Sequence, residues 1–234
     1  MLAIRSRITP KARSRQRTLA RTAPTAALPS LGWTWLRPCA LSYRLSVIQR
    51  DNTFTSLDFH THNLHAPLPA IINIPDAWLL SPEQAQLREH ATYSVGLHPW
   101  NTADEDAEAL WQGVCKWARH PQIVAIGECG LDKLRGASID VQTTWLERHV
   151  MLSESLRKPL TLHCVKAFDE IIALKKRLAP TQQWTIHGFR GKPEQARQLV
   201  ALGFHLSFGK HHNEAAYAAT PAHCRHLETD DADA

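Results

Sequence analysis

Six side chains able to hold a cation recur at the ends of short apolar runs. His60 and His62 close LDFHTH, Glu128 closes VAIGE, His163 closes LTLH, His187 closes WTIH and Asp230 closes HLETD. His60 and His62 are two residues apart, so in a strand both point to the same side of the sheet. Imidazole nitrogens and carboxylate oxygens suit Zn²⁺, Mn²⁺ or Fe²⁺, and Mg²⁺ where carboxylate and water contribute enough. Two such ions sharing a carboxylate can clamp both oxygens of an in-line phosphoryl displacement. Glu128 is the natural bridge, and Asp230 can bind a metal and orient or deprotonate the attacking water. Singly these signals are weak: an HxH pair arises by chance in a chain with fourteen histidines. Their common position at strand ends is what points to a metal site.

Other residues carry less. His98, in GLHPW, can touch a phosphate or simply brace the loop before Pro99. Lys166 and Arg190 follow ligand-bearing strands and can hold phosphate, although solvated surface charge explains them equally well. Cys129 has no base beside it in sequence and reads as a buried thiol. Trp100, Trp111 and Trp117 read as core, and His211 and His212 as loop residues.

The apolar runs are strand-like and rich in Ile, Val and Leu. They predict strands over 55–60, 69–74, 92–97, 122–127, 159–163, 183–187, 204–208 and 225–229. Helices are predicted between most of them. Leu110, Trp111, Val114 and Trp117 make an apolar stripe in 102–119, and Val141, Trp145, Leu152 and Leu156 a similar one in 140–157. Segment 193–202 opens on Pro193 and stops before Gly203, as helices prefer. Repeated strand–helix units mean parallel strands with crossover helices. Eight of them predict an α/β fold, a (β/α)₈ TIM-type barrel, whose active sites lie at the C-terminal ends of its strands. The connection 61–68 is too short for a crossover helix. The chain stops just after the eighth strand, so the expected barrel lacks its last helix.

The net charge of +5 is unevenly spread. Residues 1–50 hold one Lys, nine Arg and no acid, which leaves the remainder net acidic. The basic character therefore belongs to the N-terminal segment and is poor evidence for a basic nucleic-acid face on the body. Residues 1–50 are expected to be a basic extension, disordered or non-native, with a targeting or nucleic-acid-binding arm as the competing reading. Residues 51–234 form the barrel. Five scattered cysteines without a CxxC motif predict reduced thiols and a cytoplasmic protein. No apolar run is long enough for a membrane span.

The motifs DFHTH, VGLHPW, AIGECGLD, KPLTLHC, IHGFRG, LGFHLSFG and LETD, running from about Leu57 to Asp230, resemble those of TatD-like metal-dependent hydrolases, an amidohydrolase-type barrel family. The resemblance implies one divalent metal held by His60, His62 and Asp230 and a second by His163 and His187, with Glu128 between them. It implies Mg²⁺, with Mn²⁺ or Zn²⁺ as alternatives. It also implies a phosphodiesterase acting on nucleic acid, DNA or alternatively RNA, as a 3′–5′ exodeoxyribonuclease. Hydrolysis of carboxylic esters, amides or lactones by the same cage is the competing chemistry. A truncated, non-catalytic chain with a nucleic-acid-binding basic arm is the non-enzymatic alternative. Three departures from the family stand out: the short segment after the first strand, Arg190 where relatives often carry an uncharged residue, and an end where relatives continue for some tens of residues.

Overall fold

The computed structural model describes residues 57–230. Eight parallel strands close into a barrel in sequence order: β1 (Asp58–Thr61), β2 (Ala70–Asn73), β3 (Thr92–Val95), β4 (Ile123–Asp132), β5 (Leu160–Val165), β6 (Trp184–Ile186), β7 (Phe204–Phe208) and β8 (Arg225–Leu227). β8 returns to pair with β1 through Asp58 and Leu227. The helices are α1 (Asp76–Leu80), α2 (Ala107–Trp117), α3 (Ile139–Leu156), α4 (Phe168–Leu178), α5 (Pro193–Ala201) and α6 (Glu214–Ala219). This is the (β/α)₈ arrangement expected from the alternating pattern, with two gaps in the helical ring. No helix links β1 to β2, and among the described residues none follows β8. The first connection is held instead by Arg88, whose guanidinium donates to the Leu64 and Ala66 carbonyls at 3.1 and 2.7 Å. The basic extension expected over 1–50 lies outside the described residues.

The local reasons for the helices are visible. Ser138 caps α3, its hydroxyl accepting from the Val141 N–H, which satisfies one of the donors a helix start leaves unpaired. α5 begins on Pro193, whose missing N–H costs nothing at that position. α2 starts later than its apolar stripe suggests, because 99–103 first makes a 3₁₀ turn. Ile171 and Leu174, three apart and both buried, seat α4 on the barrel. The core between strands and helices includes Tyr93, Ile126, Trp184, Phe204 and Phe208, all essentially inaccessible to solvent. Each large apolar side chain so buried contributes about 1.5–3 kcal/mol. Beside the β1–β8 seam, Phe59 stacks on His226 at 4.4 Å and Leu227 is 41% exposed.

β4 is longer than its apolar run and irregular in the middle. Ile126 pairs with Leu160 and Cys129 with Leu162, so three steps on β4 match two on β5. That bulge re-aims the strand, and Gly127 permits it. Its φ is +135°, and a Cβ there would sit 2.3 Å from the Thr161 carbonyl oxygen. The residue turned inward by this kink is Glu128.

Candidate metal centre

Glu128 is 3% exposed and lies at the centre of a ring of histidines. On one side, His60 Nε2 and His62 Nε2 face its Oε2 at 3.2 and 3.1 Å. On the other, His98 Nε2, His163 Nδ1 and His187 Nε2 face its Oε1 at 3.0, 2.8 and 2.7 Å. Asp230 Oδ1 stands 3.7 Å from His60 Nε2 and 3.9 Å from His62 Nε2. Asp230 has φ +53°, a left-handed conformation that Asp tolerates better than most residues. Its N–H donates to the His60 carbonyl at 3.0 Å, which fixes it against β1.

All six residues singled out at strand ends thus converge on one rim, and His98 joins them as a direct neighbour of Glu128. Its Nδ1 accepts from the Trp100 N–H at 3.2 Å, which is the bracing role, and its Nε2 is spent on Glu128 at 3.0 Å. Lys166 and Arg190 are exposed and do not line the pocket of about 490 Å³ that opens over the histidines. Trp100 departs from its expected core position. It is 37% exposed and lines the pocket wall.

An outer set of residues orients the ring. Asp132 Oδ2 lies 3.2 Å from His163 Nε2 and accepts from Trp100 Nε1–H at 2.7 Å. Glu228 Oε1 lies 3.8 Å from His187 Nδ1 and accepts from the Gly188 N–H. Asn73 Oδ1 accepts from the Glu128 N–H at 3.0 Å. None of these three stands out by residue type alone. Two had a signal: Asp132 closes AIGECGLD, and Glu228 sits two residues before Asp230, the spacing that pairs His60 with His62.

The electrostatics follow from burial of acids among imidazoles. Burial alone would raise the Glu128 carboxyl. The charge of His187 and hydrogen bonds from His163, His187 and His60 outweigh it and hold the group well below the usual carboxylate range. His187 is pushed well above its ordinary value against its own burial, chiefly by Glu128 and then by Glu228. The hydrogen bond that His62 makes to Glu128 likewise raises His62. Burial is the largest influence on His98 and lowers it.

The donor set fits divalent cations. A carboxylate has about four lone-pair sites, yet five imidazole nitrogens crowd this one. His163 faces a carboxylate with both ring nitrogens, which hydrogen bonding alone satisfies only in the protonated ring. Buried His60 Nδ1, His187 Nδ1 and Glu228 Oε2 have no hydrogen-bond partner. Ligand atoms of His60, His62 and Asp230 lie within 4.8 Å of one another, as do those of His60, Glu128 and His187, and those of His98, Glu128 and His163. Two adjacent groups of donors around one buried carboxylate can accept positive charge that protons alone supply poorly.

The profile of the TatD related DNase family matches residues 71–233. The chain belongs to this family. Among TatD relatives, the 3′-5′ ssDNA/RNA exonuclease TatD of Klebsiella pneumoniae is 30% identical over 168 residues, covering 69% of this chain and 61% of that protein. The uncharacterized metal-dependent hydrolase YabD of Bacillus subtilis is 31% identical over 119 residues, covering 50% of this chain and 46% of that protein. The chain therefore spans only about half to three-fifths of these curated relatives. The crystal structure of YjjV, a TatD homolog from Escherichia coli, superposes with a TM-score of 0.61 at 24% identity, covering 75% of this chain and 78% of that one. A hydrolase TatD family protein from Entamoeba histolytica gives 0.56 at 18% identity, covering 75% and 73%. Both share the TatD barrel fold.

Proposed function

We propose that this chain is a divalent-metal-dependent phosphodiesterase that removes nucleotides from the 3′ end of single-stranded DNA or RNA. The observation that carries the reading is the buried carboxylate of Glu128 between two groups of histidines, with the less buried Asp230 opening onto the pocket. His60, His62 and Asp230 would hold one cation, His163 and His187 the other, and Glu128 would lie between them. When bound, the cations supply positive charge that polarises the phosphoryl oxygen and acidifies water. Asp230 accepts the proton of the attacking water. Asp132 holds His163 in one orientation, and the loss of such a partner typically costs 10–100-fold in metal affinity or activity. The nitrogen-rich donor set favours Zn²⁺ over the Mg²⁺ implied by resemblance, since imidazole suits the softer ion. The described Cys115, Cys129, Cys164 and Cys224 are free. No helix among the described residues is long and apolar enough to cross a membrane.

The test is metal-stimulated nucleotide release from an end-labelled single strand, wild type against Glu128→Gln, with Mg²⁺, Mn²⁺, Zn²⁺ or chelator. Release that needs metal and falls at least about tenfold in the variant is the expected result. Release that survives chelation, or is unchanged in the variant, refutes the reading. Preference for nitrophenyl acetate over nitrophenyl phosphodiesters would move the chemistry to carboxylic esters.

A further inference from the structure

One guanidinium beside the pocket has a built position and no acid to neutralise it. Arg135 lies in the loop 133–138 between β4 and α3, and its Cζ sits 3.9 Å from the centroid of the Trp100 ring. Among the described residues its side chain has no carboxylate and no hydrogen-bond acceptor. Neighbouring Lys133, by contrast, is paired with Glu170 at 2.6 Å. The platform under Arg135 is fixed at both ends, by Trp100 Nε1–H on Asp132 and by the Trp100 N–H on His98. It is therefore tied directly to two side chains that touch the metal centre.

The loop itself is equally constrained. Buried Gln142 of α3 reaches up and donates to the carbonyls of Asp132, Arg135 and Ala137 at 2.9, 3.0 and 2.7 Å, while its oxygen accepts from the Asp132 N–H at 2.7 Å. Gly136 has φ +88°, and a Cβ there would lie 2.2 Å from the Pro99 carbonyl oxygen. The loop thus packs backbone-to-backbone against the turn that carries Trp100. An exposed Arg normally surrenders much side-chain freedom on binding; stacking on a fixed indole and anchoring of its main chain reduce that loss. Five N–H donors in a rigid fork match two oxygens of a phosphate. With Trp100 only 5.7 Å from the His163 ring, centroid to centroid, the fork stands beside the reacting position and not on it.

We propose that Arg135, carried on Trp100, binds a second, non-scissile phosphate of the nucleic-acid strand, one linkage to the 5′ side of the bond being cut. The assignment rests on the phosphodiesterase reading; unlike Arg135, neither Lys166 nor Arg190 stacks on an aromatic ring of the pocket wall.

The experiment pairs the residue with one phosphate. Binding of a short 5′-labelled single strand is measured by anisotropy on the metal-loaded full chain. Its 3′-terminal linkage is a methylene phosphonate, which keeps the charge and resists hydrolysis. Each of the following linkages is neutralised in turn as methylphosphonate. Wild type should lose about tenfold in affinity at one linkage near the 3′ end. Arg135→Ala should bind the unmodified strand about tenfold more weakly, respond less than twofold to neutralising that same linkage, and keep the wild-type response at the others. Its log K against log salt slope should be shallower by about 0.7, the value for one phosphate contact on a single strand. Arg135→Lys should recover part of the affinity. An Arg135→Ala variant as sensitive as wild type at every linkage, or one that binds as tightly, overturns the assignment. Wild-type binding with the expected pairing but no metal-dependent release from an ordinary strand sinks the nuclease reading and leaves Arg135 standing. No binding by wild type removes both.

Discussion

His149 offers a quantitative test of how α3 supports the rim. It lies fully inside the protein, where its Nε2 accepts from the Leu97 N–H at 2.9 Å and its Nδ1–H donates to the Trp145 carbonyl at 2.7 Å. Leu97 immediately precedes His98, so this imidazole anchors the strand end that presents His98 to Glu128. Burial, assisted by the charge of Arg148, lowers His149 from 6.5 to about 4, and the neutral ring is the form that can accept from Leu97. The sign follows directly: a folded value below the unfolded one means that the unfolded chain binds more protons between these limits. Stability from this group is therefore complete above about pH 6.5 and is lost as pH falls towards 4. Between pH 7 and pH 4.5 the loss amounts to about 2.5 kcal/mol. His62 and His187, shifted upwards, work in the opposite sense and contribute stability that is lost as pH rises. The comparison is therefore made between wild type and His149→Gln under one metal condition, where those contributions cancel. Urea midpoints at pH 7 and pH 4.5 should show wild type losing about 2.5 kcal/mol more than the variant. Equal losses in the two proteins would refute the assignment of a neutral, buried acceptor.

Further outcomes follow from the same contacts. Asp132→Asn should weaken metal binding about 10–100-fold in a calorimetric titration while leaving the far-ultraviolet spectrum unchanged; undiminished affinity would deny Asp132 a hold on His163. Gly136→Ala should destabilise the loop by about 1–3 kcal/mol, seen as faster hydrogen exchange confined to the region around 132–138, and exchange at the wild-type rate would contradict the close approach to Pro99. Asp230→Asn should lower the number of tightly bound ions from two to one, read by elemental analysis after dialysis, whereas two retained ions would place the donor elsewhere.

How far the sequence reaches depends on what each residue touches. His60, His62, Glu128, His163, His187 and Asp230 were legible because each ends an apolar run, and the ends of barrel strands share one rim. Asp132 and Glu228 carried only a positional signal, because they act through the far nitrogens of His163 and His187, and their partners lie on other strands. Trp100 looks like core by composition. Its exposure is set by Pro99 and the 3₁₀ turn, which place the indole on the pocket wall. Segment 102–119 was rightly helical at its centre, yet its start moved to Ala107 because the same turn uses the preceding residues. Among the helices, α1 has five residues, too few for a period of 3.6 to register. The bulge in β4 was invisible for a different reason: only the pairing with β5 reveals the extra residue between Ile126 and Cys129.

The closure of the barrel is thin where its first and last strands meet. One registered pair, Asp58 with Leu227, joins β1 to β8. Beyond it, Thr229 donates to the Asp58 carboxylate through its N–H at 3.0 Å and its hydroxyl at 2.7 Å. His60 and His62 lie on one side of this seam and Asp230 on the other. A cation shared by them would act as a rivet between chain segments almost as far apart in sequence as the described residues allow. Ion supply would then govern how long the barrel stays shut as well as how fast it works, each tenfold excess of free ion over its dissociation constant adding about 1.4 kcal/mol against unfolding.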